Sequence, residues 1–259
     1  MNFIQVDDVR LHVRTDGDPA RPCIVLSNSL GTDLSMWDPQ AAALARDHHV
    51  VRYDTRGHGR STLGTAPVTL ERLGRDVVGL LDALAIPRAR FCGISMGGLT
   101  GQWLGIHAPQ RFDGLVLANT APRIGTAEGW HARAAQVRRE GMDGVADGAA
   151  TRWFTADFIA REPYVVKRMI GRLREQPPAG YAACCDALAE ADLRAALGAI
   201  AVPTLIVAGA ADPVTTVADA MWMRERIRGA TVLSLAASHL SNIEAEASFT
   251  SAVQAFRAD

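Results

Sequence analysis

Six short β-rich runs punctuate the chain: CIVLSN (residues 23–28), HVVRYDT (49–55), ARFCGI (89–94), FDGLVLANT (112–120), PTLIVAG (203–209) and ATVLSLA (230–236), with longer helix-like stretches between them. Strands this continuously apolar have to be covered on both faces, which is the pattern of a parallel sheet wrapped by crossover helices. Two earlier runs, FIQVD and VRLHVRTDG, alternate polar and apolar residues as a hairpin at a sheet edge does. The expectation is an α/β fold built on a mostly parallel, eight-stranded sheet flanked by helices.

Between two of the strands, TLERLGRDVVGLLDALA sets Leu70, Leu73, Val77, Leu80, Leu81 and Leu84 on one helical stripe, a crossover helix facing the core. The alternation stops after Asn119 and resumes at Val202. A structureless loop of that length does not suit a compact domain, so the intervening residues are read as an inserted helical cap. The expected organisation is a core of residues 1–121 and 198–259 with a cap of residues 122–197. The 259 residues suit one α/β core with an insertion, and 48% apolar with 21% charged residues is enough to bury it.

A formal charge of −1 leaves no global field for nucleic acid or an anionic membrane, so recognition of a charged ligand must be local. No apolar run reaches the roughly 20 residues that span a bilayer. Cys23, Cys92, Cys184 and Cys185 have neither metal-site nor disulfide-framework spacing. With no signal-like start, the expectation is a cytoplasmic protein without metal, cofactor or disulfide; the sequence carries no signal of oligomeric state.

FCGISMGG places Gly93, Ser95 and Gly97 as G-x-S-x-G between a strand and a helix. That is the setting of a nucleophile elbow, a turn too tight for larger neighbours that lifts a strained serine above the sheet. Serine needs a base, and the base an orienting group. Of seven histidines, only His239 follows the last strand, where a loop can hang over the sheet's C-terminal edge. The acid is expected between them in the chain. One candidate strand end carries Asn119, which is uncharged, and the other carries Asp212 in a Gly/Pro-marked turn. Asp212 is therefore expected as the third member. The polar loop after CIVL lies at the same sheet edge, so Leu30 is expected to supply one oxyanion-hole amide and Met96 the other, with Gly31 giving the backbone freedom to aim the first.

With these residues in order, the chain resembles the α/β-hydrolase superfamily from its first strands to its last helix. Many members carry His-Gly where Asn28 and Ser29 stand here. SNSLGTDLSMWDPQ, RYDTRGHGRS, GISMGG, RIGTAEGW and SHLSNIE together resemble the 3-oxoadipate enol-lactonases of the β-ketoadipate pathway of aromatic catabolism. The resemblance implies hydrolysis of a small-molecule enol-lactone that bears a free carboxylate. A partner for that carboxylate is sought in TAEGWHARAAQVRR, where Arg133, Arg138 and Arg139 face a single acid, Glu128. Trp130 and Arg133, three apart, share a helix face and are expected to line the pocket, unless Arg133 simply sits on a solvated face. Asn28 and Ser29 either bind the lactone or brace their own loop. Trp37 and Trp153 either line the pocket or belong to the core. Asp54 and Arg56 are expected to brace a turn by charge. The rival readings are a general carboxylesterase or cofactor-free perhydrolase on the same triad and, in a different class, a non-catalytic ligand-binding protein on a hydrolase scaffold.

Overall fold

A computed structural model describes residues 2–256. Met1 and residues 257–259, assigned to the core on sequence grounds, lie outside the described residues. Eight strands form one sheet: β1 (Asn2–Val6), β2 (Val9–Asp16), β3 (Cys23–Ser27), β4 (His49–Tyr53), β5 (Ala89–Ile94), β6 (Phe112–Ala118), β7 (Thr204–Gly209) and β8 (Thr231–Leu235). Their spatial order is β1-β2-β4-β3-β5-β6-β7-β8. The first two form the expected antiparallel hairpin, β2 runs antiparallel to β4, and all later pairings are parallel.

The apolar runs are explained by the two faces of this sheet. Ile24, Leu26, Cys92, Ile94 and Val116 point into one buried cluster, while Val25, Phe91, Leu115, Leu117 and Ile206 point into the other. Alternate residues of one strand thus serve opposite cores, which is why no polar face appears in β3 or β7. The crossover helix spans Leu70–Ala83, capped by the Thr69 hydroxyl, and buries Leu73, Val77, Leu80 and Leu81, with Leu70 and Leu84 half-buried at its ends.

Between β6 and β7 the described chain contains helices and no strand: Ala127–Glu140, Asp143–Asp147, Ala150–Trp153, Ala156–Arg161, Pro163–Arg174 and Pro178–Glu190. Their apolar side chains, among them Ala134, Val137, Phe154, Phe158, Met169, Leu173 and Leu188, join the cluster that contains Ile24, Leu26 and Ile94. The insertion therefore continues one face of the sheet's core. It meets the loop after β4 at a glycine crossing, where a Cβ on Gly180 would stand 1.8 Å from the Gly57 carbonyl oxygen. Gln176 adds a hydrogen bond by accepting from the Gly59 amide at 2.7 Å, and Arg172 pairs with Asp33 at 3.0 Å.

That loop is braced by charge, though not between the two residues expected. Arg56, fully enclosed, makes a two-pronged pair with Asp76 at 2.6 Å per contact and reaches Asp8 at 3.4 Å. Asp54 instead accepts from the amides of Leu34 and Arg60 and pairs with His12 at 2.7 Å. His58 in the same loop is buried beside Tyr181 of the insertion, their ring centroids 6.3 Å apart, and burial pushes its pKa down to about 4.

Two outcomes follow for stability. Arg56→Ala leaves Asp76 buried without its cation and should cost about 3–5 kcal/mol, read as a melting point lowered on the order of 10 °C while turnover in the folded enzyme changes little. His58 is neutral when folded but takes up a proton in the unfolded chain below about pH 6.5. Its contribution is therefore intact above that pH and is lost progressively as the pH falls toward 4, by about 3 kcal/mol at most. His58→Gln should flatten the melting-temperature profile across that window, and an unchanged profile would show that other groups set it.

Candidate active site

Ser95 closes β5 and caps the helix Met96–His107, with φ 57 and ψ −115, a left-handed conformation unusual for a residue with a side chain. The turn holds because its neighbours have no side chains to collide. A Cβ on Gly93 would lie 2.3 Å from the Gly97 carbonyl oxygen, and one on Gly97 would lie 2.4 Å from that of Ser27. The strained residue is then held by hydrogen bonds. Its amide donates to Ala118 at 3.0 Å, and its carbonyl accepts from the Thr120 hydroxyl at 2.8 Å.

His239, in the loop after β8, places Nδ1 2.8 Å from Asp212 Oδ2, and both residues are buried. The Asp212 carboxylate is heavily solvated by the protein itself. Its Oδ2 also accepts from Asn119 Nδ2 at 3.0 Å and the Thr215 hydroxyl at 2.8 Å, and its Oδ1 from the amides of Val214 and Thr215. Burial alone raises such a carboxyl, but the His239 hydrogen bond and charge, with the Asn119 and Val214 donors behind them, hold it below the usual carboxylate range. The acid is thus kept ionised beside the imidazole.

Asn119 was passed over in the sequence because it is uncharged. It sits at the end of β6 with φ 43, donates to Asp212 and to the Ser238 carbonyl, and accepts from the Ser241 hydroxyl. It therefore ties the acid to both sides of His239. Glu244 is a second member missed: it accepts from the Ser238 amide at 2.8 Å and from the amide and hydroxyl of Thr155 in the insertion. Neither role has a sequence signal, since each depends on which loops lie together at the sheet edge.

The polar residues at the end of β3 and in the loop after it are engaged by the neighbouring strand β4 and by Trp37. Ser27 hydrogen-bonds the Tyr53 hydroxyl at 2.8 Å. Asn28 is fully buried, donating to the Tyr53 carbonyl at 2.8 Å and accepting from Trp37 Nε1 at 3.0 Å. Contrary to the substrate contact expected for Asn28, its side chain is buried, held by Tyr53 and Trp37, and outside the cavity lining, so it braces the loop. Trp37 belongs to the core. Ser29 and Leu30 do face the cavity, and Gly31 follows at φ 79, where a Cβ would meet Leu173 at 2.5 Å and Tyr181 at 2.9 Å. Met96 occupies the first turn of its helix, where amides have no intrahelical acceptor.

Ser95 and His239 share with Ser29, Leu30 and Val214 a cavity of about 50 Å³, roofed by Trp130, Arg133, Arg152, Trp153 and Tyr181 of the insertion. Arg133 lies over the Trp130 ring, 5.1 Å from its centroid, as their spacing implied. Trp153 is both buried and part of the cavity wall. Arg152 was not singled out by sequence. Among the described residues, no cluster of His, Cys, Asp and Glu suited to a metal occurs, and no helix is long and apolar enough to cross a membrane. A serine on a strained turn and a buried His–Asp pair at one cavity suit acyl transfer through a covalent serine ester.

Comparison with known proteins agrees with this geometry. A family model described as Serine aminopeptidase, S33, matches residues 18–235. The chain is 50% identical over 252 residues to 3-oxoadipate enol-lactonase 2 of Acinetobacter baylyi, covering 97% of this chain and 94% of that protein. It is 48% identical to 3-oxoadipate enol-lactonase 1 of the same organism, covering 90% and 88%. The crystal structure of an enol-lactonase from Burkholderia xenovorans superposes with a TM-score of 0.96 at 47% identity, over 98% of both chains.

On p-nitrophenyl acetate as a generic ester, Asp212→Asn should lower kcat by about 10⁴-fold, the scale of losing the group that orients the imidazole. Asn119→Ala, which removes one hydrogen bond to a charged group, should lower kcat by roughly 10–100-fold with KM little changed. Equal kcat for Asn119→Ala and the wild type would remove Asn119 from the machinery.

Proposed function

The chain belongs to the 3-oxoadipate enol-lactonase family of α/β-hydrolases, and from that membership and the geometry of the cavity we propose that it hydrolyses 3-oxoadipate enol-lactone to 3-oxoadipate through an acyl-enzyme on Ser95. The observation that carries this reading is the meeting, at one small cavity, of a strained serine, a histidine paired to a buried carboxylate, and arginines on the insertion.

In this reading Ser95 Oγ attacks the lactone carbonyl while His239 Nε2 takes its proton, and Asp212 orients the ring and stabilises the imidazolium. The amides of Leu30 and Met96 receive the oxyanion, each worth about 3 kcal/mol of transition-state stabilisation. Collapse of the tetrahedral intermediate expels an enolate, a far better leaving group than an alkoxide, which takes up a proton and settles as a ketone. It stays tethered within the acyl-enzyme. Water, deprotonated by His239, then attacks the serine ester and releases a dicarboxylate. Residues 122–197 serve as the cap and, of the described residues, 2–121 and 198–256 as the core, with Trp130 and Ser29 against the substrate and Arg133 on its carboxylate. A cytoplasmic location suits four cysteines that are buried and unbridged.

The test is the ultraviolet loss of enol-lactone generated in situ, followed with wild type and Ser95→Ala beside p-nitrophenyl acetate. Fast, Ser95-dependent lactone loss with poor ester turnover is expected, and Arg133→Ala should raise KM for the lactone by about tenfold or more, the scale of a hydrogen bond to a charged group. Ester turnover without lactone turnover would assign the chain to general esterase chemistry on the same triad.

A further inference from the structure

Arg133 and Arg152 stand apart from the arginines around them. Arg138 pairs with Asp186, Arg172 with Asp33, and Arg174 with Asp143 and Asp147. Among the described residues neither Arg133 nor Arg152 has a carboxylate partner; Arg152 donates only to the Val145 carbonyl, at 2.8 Å. Both are half-buried and both line the cavity that holds Ser95 and His239. Tyr181 beside them supplies no negative charge, because burial, with the Cys185 sulfur behind it, pushes its hydroxyl up to about 12 against the pull of Arg133. Burial, and then the charge of Arg133, lowers the pKa of Arg152 from the usual guanidinium range, so the two cations feel each other. Two like charges brought together under a protein roof without a counterion are unfavourable until an anion arrives.

A second cavity, of about 390 Å³ and more open to solvent, adjoins the first. Its outer wall is Ile124–Thr126 and Pro213, and its shared wall with the inner cavity is Trp130, Arg133, Arg152 and Val214. The inner space, about 50 Å³, is far below the several hundred Å³ of ordinary ligand pockets. Anything that reaches Ser95 from the outer cavity passes the two guanidiniums.

We propose that Arg152 is the second half of a two-guanidinium carboxylate site with Arg133, and that the outer cavity is the anion-selecting mouth through which carboxylate-bearing lactones arrive and the dicarboxylate leaves. This rests on the lactonase reading for the identity of the substrate, though not for the class of ligand. Hydrolysis raises the ligand's charge from one carboxylate to two, matching the two cations at the throat. Arg152 is thereby a specificity-determining residue, selecting on charge where the triad selects on acyl chemistry.

The test compares kcat/KM for the enol-lactone and for p-nitrophenyl acetate in wild type, Arg152→Met and Arg152→Lys, between ionic strengths of about 0.01 and 1 M, where the screening length shrinks from about 30 to 3 Å. The expected result is a fall in the lactone-to-ester ratio of about tenfold or more in Arg152→Met, chiefly through KM for the lactone, with a flatter salt dependence than wild type. Arg152→Lys should keep the salt dependence while regaining only part of the KM, because it keeps the charge and loses the planar fork. Equal losses on both substrates would show that Arg152 only braces the Val145 turn and would overturn the proposal, as would an unaltered ratio and salt slope. If Arg152→Met fails to fold, Arg152→Lys decides alone: an unaltered lactone KM overturns the proposal. If wild type does not turn over the lactone at all, the lactonase reading fails by itself, and the site is read by inhibition of ester hydrolysis by adipate against the neutral adipamide. Preference for adipate that is lost in Arg152→Met sustains the anion site, and equal inhibition of both proteins overturns it.

Discussion

One hydrogen bond, from the Gly97 amide to the Asn28 carbonyl at 3.1 Å, joins the two loops on which the chemistry depends. The oxyanion hole proposed from these two segments would work only if both amides aim at the same point. That approach requires Gly97 itself, since a Cβ there would strike the Ser27 backbone at 2.4 Å. On the β3 side, Asn28 is pinned to β4 and to Trp37, so its carbonyl is a fixed anchor. On the β5 side, Ser95 remains at positive φ because Ala118 and Thr120 hold its amide and carbonyl. Such strain amounts to about 1–3 kcal/mol and persists only where surroundings over-determine it. The parallel register β3–β5–β6 supplies those surroundings.

The insertion is tied down by the loops it covers. On one side the Gly57–Gly180 crossing, the Gln176 bond to Gly59 and the Arg172–Asp33 pair fasten it to the loops after β4 and β3. On another, the Leu240 amide donates to the Trp153 carbonyl, and Glu244 grips Thr155 and the Ser238 amide together. Both fastenings are adjacent to catalytic elements, so the roof's position and the placement of Ser29, Leu30 and His239 are mechanically linked. The outer cavity opens between the Ile124–Thr126 segment and Pro213–Val214, a side that has neither set of ties. The insertion is thus attached at two loops, and the outer cavity opens at a third.

What could be read from the sequence follows from the range of the interaction that writes it. The inner strands β3 and β7 were legible because burial on both faces excludes a polar face, the outer hairpin because its residues alternate, and the positions of Ser95, Asp212 and His239 because each closes a strand or follows one at the same edge. Arg56 was legible as a brace but not its partners, since Asp8 and Asp76 approach it from β2's flank and from the crossover helix. Asn28 shows the converse: a polar residue in a functional loop suggests a substrate contact, but here its side chain is buried and engaged by the Tyr53 carbonyl of β4 and by Trp37. Asn119 was discounted for lacking charge, yet the buried carboxylate beside it needs neutral donors, which an aspartate there would replace with repulsion. Arg152 left no trace because its meeting with Arg133 depends on how the short helix Ala150–Trp153 is set beside the long helix Ala127–Glu140.

In the reading proposed above, the charge distributed along the cavity orients an asymmetric substrate. The core contributes a negative end, the Asp212 carboxylate beneath His239, neutralised outward only when the imidazole is protonated. The roof contributes the positive end, Arg133 and Arg152. A lactone carrying a carboxylate at one end and a neutral ring ester at the other then lies favourably in one sense only, with the ester on Ser95. The reverse sense would turn the carboxylate away from Arg133 and Arg152 and leave both guanidiniums without a counterion. The donors around Asp212 satisfy its charge inside the protein and leave it paired to the imidazole. Orientation by opposed charges therefore presents the ester carbonyl to the serine before any bond is made or broken.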